Sequence, residues 1–178
     1  MIKIETARLI MRNFTLDDAA FFCALLNDPE WIRFIGDRHV HSDEQARDYL
    51  AKSYLAQYEK NGFGLYLTAQ KDGTPVGMCG LIKRDCFDDV DIGFAFLPAY
   101  RGKGYAREAA RAALEYGWDV LKKRRVVAIV LPENTASVAL LENIGLRFER
   151  MVRLADDADE LALYAIDFVP KNESMERS

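Results

Sequence analysis

The pattern of hydrophobic and polar positions predicts one short strand and two helices at the beginning of the chain. Residues 8–12 form the short strand, which is flanked by charge. Thr15 begins the first helix, because Asp18 follows at the third helical position, where a carboxylate favours free backbone N–H groups. This helix is predicted to end near 27–29. Ser42 and Gln45 form a capping box for the second helix, predicted over 43–60. Its apolar side follows the helical period and consists of Ala46, Tyr49, Leu50, Ser53 and Tyr54.

The pattern then changes to one that is typical of strands. Residues 65–70 and 75–83 are predicted as two strands of a hairpin. The loop between them contains Asp72-Gly73, a pair that favours a primed turn. Residues 89–97 are predicted as a third strand, with bulky side chains on one face and mostly small ones on the other.

The second half of the chain predicts alternating helices and strands. The predicted elements are a helix at 105–121, a strand at 126–131, a short helix at 135–143, and strands at 146–154 and 161–168. Asn134 is the expected N-cap of the short helix, and Gly145 is its expected stop. The order β-α-α-β-β-β-α-β-α-β-β predicts a mixed sheet with helices on its faces, an α+β or α/β fold.

Composition indicates an ordinary globular protein. The chain has 178 residues, of which 50% are hydrophobic and 29% charged, and this length suits one domain over 1–170 with a flexible C-terminal tail at 171–178. The net charge of −4 gives no reason to expect nucleic acid or a membrane as partner. Three cysteines without C-x-x-C spacing, two histidines and no apolar span predict a cytoplasmic protein without a metal site.

The most informative segment joins the third strand of the hairpin block to the long helix. It reads Arg101-Gly102-Lys103-Gly104-Tyr105-Ala106. Consecutive N–H groups around small residues at a helix N-terminus bind anions, and the two basic side chains add local positive charge. The segment therefore predicts phosphate or pyrophosphate binding.

A simpler interpretation of the same segment is a glycine-bearing turn with two solvated basic side chains. Two other phosphate-binding motifs do not fit. A P-loop requires a different glycine spacing, and a dinucleotide-binding motif requires a small residue where Arg107 stands.

The segment resembles the GNAT acyltransferase superfamily. Arg101-x-x-Gly104-x-Ala106 matches the Q/R-x-x-G-x-G/A signature with which that family holds the pyrophosphate of CoA. Further stretches look like the RimJ/RimL-type branch, and the resemblance covers residues 3–168. These stretches are 6–14, the Asp17-Asp18 pair, the Asp28-Pro29 turn, 134–137 and 141–145.

This resemblance implies a GNAT fold and transfer of an acetyl group from acetyl-CoA to a primary amine. The acceptor would be a protein or peptide N-terminal α-amine or a small-molecule amine, and a homodimer is compatible with such folds. The backbone of Phe96 and Leu97 would bond the pantetheine arm, with Gly93 making room, and Asn134 would contact the same arm. The implied cofactor-binding residues are Phe96, Leu97, Arg101, Gly102, Lys103, Gly104, Tyr105, Ala106 and Asn134.

The resemblance also suggests catalytic candidates. Many relatives place a tyrosine acid where this sequence has Leu141, and Ser137, one helical turn earlier, is the candidate nearest to the CoA thiol. Its other interpretation is a first-turn serine that bonds the backbone. Asp91 aligns with a glutamate base of some relatives, and its shorter side chain favours a water relay.

Two questions stay open from sequence. The missing tyrosine at Leu141 also fits a non-catalytic acyl-CoA sensor with the same fold. The acceptor is not identified, because the segment near 30–45 and the last hairpin would build its pocket. Trp31, Phe34 and Tyr66 are candidates to line that pocket, although aromatic side chains at such spacings are more often core residues.

Overall fold

A mixed β-sheet forms the centre of the computed structural model, which describes residues 3–156 and 158–168. Among these residues the sheet has eight strands in the order β1-β2-β3-β4-β5-β6-β8-β7. Only β5 and β6 pair in parallel. The strands are β1 (Lys3–Glu5), β2 (Leu9–Arg12), β3 (Leu65–Gln70), β4 (Pro75–Lys83), β5 (Val90–Phe96), β6 (Arg125–Val130), β7 (Arg147–Val152) and β8 (Leu161–Asp167).

Helices cover both faces of this sheet. They are α1 (Ala19–Leu26), α2 (Pro29–Phe34), α3 (Asp43–Tyr49), α4 (Ala56–Asn61), α5 (Tyr105–Asp119) and α6 (Thr135–Asn143). A π-helical segment, Leu50–Leu55, joins α3 to α4, and short 3-10 turns stand at Leu16–Asp18 and Pro98–Tyr100. In the part of the chain that the structure describes, no helix is long and apolar enough to cross a membrane.

The mixed sheet with helices on its faces confirms the predicted fold class, and several elements have the predicted bounds. The hairpin strands β3 and β4 and the helix α6 agree with the sequence patterns residue for residue. The predicted helix at 43–60 is one helical run divided by the π-helical segment. The predicted tail at 171–178 lies outside the described residues.

Two elements were missed by the sequence patterns. The strand β1 has only three residues, which is too short for a periodic signal. Sequence reasoning treated Pro29 as part of the end of the first helix, but this proline begins α2. Asp28 caps that helix by accepting a hydrogen bond from the backbone N–H of Trp31 at 3.1 Å, and proline is well suited to a first helical position.

The prediction of a primed turn between β3 and β4 is wrong. A type I′ turn needs positive φ at both central residues. Here Gly73 has a φ of +91°, but Asp72 before it does not have a positive φ. In the described chain the non-glycine residues with positive φ are His39 and Lys122. The Gly73 N–H donates to the carbonyl of Gln70 at 3.0 Å, and the strands adjust through a shift of register between Thr68 and Ala69.

The hydrophobic core has a cluster on each face of the sheet. On one face α5 approaches the strands closely, because the side it buries is made of alanines such as Ala109, Ala110 and Ala113. Gly117 completes this contact, since a Cβ there would lie 2.6 Å from the side chain of Leu81. The other face is covered by α1 to α4. This packing fixes the N-terminus of α5 beside the end of β5.

Candidate active site

A gap opens between β5 and β6 in the middle of the sheet. The two strands pair only at Val90 with Val126 and at Asp91 with Val127. Beyond these pairs β5 stays bonded to β4, and β6 stays bonded to β8. One side of the β5 backbone is therefore left without a strand partner, and an extended ligand can occupy that side as an added strand does.

Backbone alternation decides which groups of β5 face this gap. The N–H of Leu97 donates to Val76 at 3.0 Å, and its carbonyl accepts from Tyr100 at 2.9 Å, so both groups are engaged within the chain. Because successive residues of a strand point their backbone groups in opposite directions, Phe96 and Phe94 face the gap. The Phe96 carbonyl already accepts a hydrogen bond from Arg101 Nε at 2.9 Å. The geometry favours Phe94 and Phe96 over Leu97 for contacts there.

The loop before α5 turns its backbone around two glycines. Gly102 and Gly104 have φ values of +71° and +80°, which residues other than glycine rarely adopt. Gly104 is the N-cap of α5 and has no side chain to bond the first N–H groups of the helix. These N–H groups are therefore available for an anion, and the helix dipole adds positive potential at the same place.

Arg101 is held by partners inside the chain. Its guanidinium forms ion pairs with the buried carboxylate of Asp28 and with Glu30, the latter at 2.9 Å. These carboxylates balance its charge, so the anion-binding capacity of the loop depends on backbone N–H groups and on Lys103. The Lys103 side chain is exposed, and its ammonium lies 5.5 Å from the centre of the Tyr100 ring.

A second basic residue, Arg8, reaches the same loop from the beginning of the chain. Its Nη1 donates to the carbonyl of Lys103 at 2.9 Å, and its Nε pairs with Glu108 at 2.6 Å. Its guanidinium stacks over the ring of Tyr105 at 4.7 Å from the centre. Sequence reasoning did not find this contact, because the two segments are about a hundred positions apart and no local signal joins them.

The gap between β5 and β6 continues into a cleft with a volume of about 810 Å³. Its walls come from α2 and the loop after it, from the π-helical segment, from β5 and β6, and from the beginning of α6. Of the residues proposed from sequence, the cleft is lined by Trp31, Phe34, Asp91, Gly93, Asn134, Ser137 and Leu141.

Asp91 is the buried carboxylate of this cleft. Its side chain is 2% exposed and is paired with Arg84. Burial raises the pKa of Asp91 to about 6, while the charge of Arg84 and its hydrogen bond act in the opposite direction. A carboxyl group with a pKa near neutrality can accept a proton at physiological pH, which is the property expected of a general base.

The beginning of α6 brings the other candidates together. Asn134 Oδ1 accepts a hydrogen bond from the backbone N–H of Ser137 at 3.2 Å, so Asn134 is the N-cap that the sequence predicted. Leu141 lines the cleft and is 1% exposed, so the wall has no titratable group at that position.

The remaining candidates separate into cleft and core. Tyr66 is 1% exposed, belongs to the core and stacks on Tyr58 with ring centres 5.9 Å apart. Sequence reasoning did not single out Ser53, Tyr54 and Gln57 as cleft residues, yet all three line it. The helical period had placed Ser53 and Tyr54 on the core-facing side of the second helix, and it gives no sign of the π-helical segment from which they extend.

A small group of possible metal ligands stands apart from this site. Asp37, His39 and His41 lie on an exposed loop, with one ligand atom of each within 4.8 Å of the others. The His41 ring nitrogen Nδ1 is 3.0 Å from Asn27 Oδ1. Exposed groups of this kind are common without an ion, and the expectation of a metal-free protein stays a prediction.

The chain is similar to proteins of known sequence and of known structure. An N-acetyltransferase of Bacillus subtilis, YnaD, whose name calls it uncharacterized, is 32% identical over 148 residues, 83% of this chain and 84% of its own length. An acetyltransferase of the GNAT family from Bacillus anthracis has a structure with a TM-score of 0.78 and 28% identity, covering 93% of this chain and 98% of its own.

A third similarity concerns the fold. The structure of RimL, a ribosomal L7/L12 alpha-N-protein acetyltransferase in complex with coenzyme A, has a TM-score of 0.79 at 18% identity and covers 93% of this chain and 98% of its own. Residues 8–147 match the acetyltransferase (GNAT) domain family. The chain therefore belongs to the GNAT acetyltransferase family and is an N-acetyltransferase.

Proposed function

We propose that this N-acetyltransferase uses acetyl-CoA and transfers the acetyl group directly to a primary amine that enters the 810 Å³ cleft. The observation that carries the proposal is the continuous path from the N-terminus of α5, through the gap between β5 and β6, to a cleft with a buried carboxylate. Both ends of that path have the chemistry required, since N–H groups suit a pyrophosphate and a carboxylate suits an ammonium proton.

Backbone groups hold most of the acetyl-CoA in this proposal. The N–H groups from Gly102 to Ala106 bind the pyrophosphate, with Lys103 and Arg8 as nearby cations. The pantetheine arm lies along β5 and bonds the backbone of Phe94 and Phe96. Asn134 contacts the arm from the other side with the part of its amide that the N-cap bond leaves free.

The acetyl thioester supplies an activated carbonyl carbon, and the chain positions the amine and moves its proton. Asp91 accepts the proton of the incoming ammonium through a water molecule, because its side chain is short and almost fully buried. Ser137 stands at the first turn of α6 and donates a hydrogen bond to the departing thiolate. Because Leu141 offers no proton, positioning contributes more of the rate than acid catalysis.

The acceptor is a protein or peptide N-terminus or a small-molecule amine. We further propose a cytoplasmic protein that forms a homodimer and binds neither nucleic acid nor membranes, which fits its net charge of −4.

A non-catalytic acyl-CoA sensor is the second candidate function, and Leu141 is the observation that favours it. One experiment separates the two. Thiol released from acetyl-CoA by the purified chain is measured with a panel of amines and N-terminal peptides. We expect release that depends on the acceptor and that falls strongly in Asp91→Asn. Tight binding of acetyl-CoA by calorimetry without release from any acceptor would instead support the sensor.

A further inference from the structure

The acceptor side of the cleft has an excess of positive charge. Its lining contains four cationic and three carboxylate side chains, although the whole chain has a net charge of −4. The cations are Arg33, Arg38, Lys83 and Arg84, and the carboxylates are Asp85, Asp91 and Asp159.

Among the described residues, ion pairing leaves Arg33, Arg38 and Lys83 without a carboxylate partner and Asp159 without a cationic one. The Lys83 ammonium donates instead to the backbone carbonyls of Arg84 and Phe87. Asp91 is paired with Arg84, and the exposed Asp85 lies 3.9 Å from Lys60 outside the cleft. The guanidinium of Arg33 lies over the ring of Phe34 at 4.6 Å from its centre. In the described chain, neither Arg33 nor Arg38 has a carboxylate partner within ion-pair distance.

A hydroxyl donor lines the same cleft as these charges. Tyr54 belongs to the π-helical segment, and its hydroxyl donates a hydrogen bond to the sulfur of Met78, a weak acceptor, at 3.7 Å. Burial raises the pKa of Tyr54 above its ordinary value, and the charges of Arg38 and Arg84 act in the opposite direction. Tyr54, Arg38 and Arg84 all line this cleft, and the Tyr54 hydroxyl stays protonated and able to donate.

We propose that the acceptor carries a carboxylate close to its primary amine, as an amino acid does, and that Arg38 and Tyr54 receive this carboxylate. This inference rests on the proposed function. A guanidinium and a hydroxyl donor match a ligand that only accepts hydrogen bonds, and a guanidinium can bind a carboxylate in a bidentate way. The paired Asp91 and Arg84 then lie beside the amine. The same positive charge disfavours polyamines, which bring several cations into the cleft.

Matched acceptors test this proposal. Thiol release from acetyl-CoA by the full chain is measured with phenylalanine, phenylalaninamide, a dipeptide with N-terminal phenylalanine, and spermidine, and rates are expressed per neutral amine. We expect kcat/KM for phenylalanine to exceed that for its amide by about tenfold or more, because the amide leaves the arginine unpaired.

Variants show which residues carry the preference. In Arg38→Ala we expect the preference for the free carboxylate to fall to about twofold, through KM for the acceptor, with KM for acetyl-CoA unchanged. Arg38→Lys should restore part of it, and Tyr54→Phe should reduce it while keeping the ring. Arg47→Ala is the matched control, because Arg47 is an exposed arginine of α3 that does not line the cleft.

The outcomes separate this inference from the proposed function. Equal or faster acetylation of the amide or of spermidine overturns the carboxylate site and leaves the transferase intact. If no amine releases thiol, the transferase proposal fails, and the site is judged by calorimetry with N-acetylphenylalanine and CoA. If N-acetylphenylalanine binds and Arg38→Ala weakens its binding about tenfold, the carboxylate site is supported. If it does not bind, or if the substitution leaves its affinity unchanged, the site is overturned.

Discussion

Asp91 combines burial with charge in a way that costs stability. Its pKa of about 6 in the folded chain lies above the ordinary value of 3.8. The folded state therefore binds this proton more tightly than the unfolded state, so stability is lost as the pH rises from about 4 to about 6. The difference corresponds to roughly 3 kcal/mol. Arg84 recovers part of the cost of the charge, and the catalytic role proposed for Asp91 would account for a carboxylate at this position.

Replacing this carboxylate should separate stability from activity. In Asp91→Asn we expect the free energy of unfolding at pH 8 to stay the same or rise by about 1–3 kcal/mol, since Arg84 is partly exposed and tolerates the loss of its partner. We expect kcat at saturating substrate to fall about 100-fold. The rise of wild-type kcat around pH 6 should disappear in the variant.

Urea unfolding and a pH profile of kcat measure these effects, with Asp85→Asn as the control. Asp85 is a carboxylate of the same cleft, and its side chain is 98% exposed, so its replacement should alter neither quantity. A variant Asp91→Asn that keeps the rise near pH 6 would assign that titration to another group.

Residue-level contacts of the site were only partly open to prediction. The signature from Arg101 to Ala106 pointed to the loop that we propose for the pyrophosphate, because a glycine-bearing turn before a helix is a local pattern. The partners of that loop are not local, since Arg101 pairs with Asp28 across 73 positions and Arg8 bonds Glu108 across 100. Only folding brings these charges together, so the sequence suggested a free Arg101 side chain where the structure has a paired one.

The elements that were predicted well have complete local signals. The strands β3 and β4 are bounded by turn residues, and α6 has both an N-cap and a stopping glycine. The π-helical segment has no such signal, because the apolar positions over 43–60 follow one helical period that does not change at Leu50–Leu55. This segment places Tyr54 in the wall of the cleft.

The loop before α5 provides a test of the element that would hold the pyrophosphate. We expect Gly104→Ala to weaken CoA binding at least about tenfold, because the added Cβ would lie 3.3 Å from Arg8 and the positive φ would be strained. Calorimetry with CoA measures the change.

Gly73→Ala separates backbone strain from loss of the binding site. Gly73 has a φ of +91° in the distant hairpin, and nothing lies within 4 Å of an added Cβ there. Gly73→Ala therefore introduces a backbone strain similar to that of Gly104→Ala. Both variants should lose about 1 kcal/mol of stability, but only Gly104→Ala should bind CoA weakly. Equal affinities in the two variants would move the pyrophosphate site away from this loop.

On the scale of the whole molecule, the gap between β5 and β6 divides the sheet. The strands β1 to β5 lie on one side and β6 to β8 on the other, and only two residue pairs join them across the gap. A ligand that fills the gap bonds both parts, so its binding should stabilise the complete fold.

Thermal unfolding with and without CoA tests this linkage. At a CoA concentration 100 times its Kd, stabilisation of about 2.7 kcal/mol is expected, which raises Tm by roughly 5–10 °C. Hydrogen exchange should slow at backbone amides of β5. ADP contains the pyrophosphate and lacks the pantetheine arm. At the same concentration as CoA it should raise Tm by less and leave hydrogen exchange in β5 unchanged. An equal effect of ADP would show that the gap is not part of the CoA site.

The outer edge of the sheet bears on assembly. The strand β7 ends the strand order, and Phe148 and Met151 on it are 54% and 38% exposed. An uncovered edge strand with large apolar side chains pairs readily with another strand, so we expect a homodimer formed through β7.

Light scattering at micromolar concentration should give the mass of two chains for the wild type and of one for Phe148→Glu. Val120→Glu is the control, because Val120 is 59% exposed at the end of α5. A single-chain wild type, or a Phe148→Glu variant that stays dimeric, would contradict pairing through β7, and circular dichroism establishes that both variants are folded.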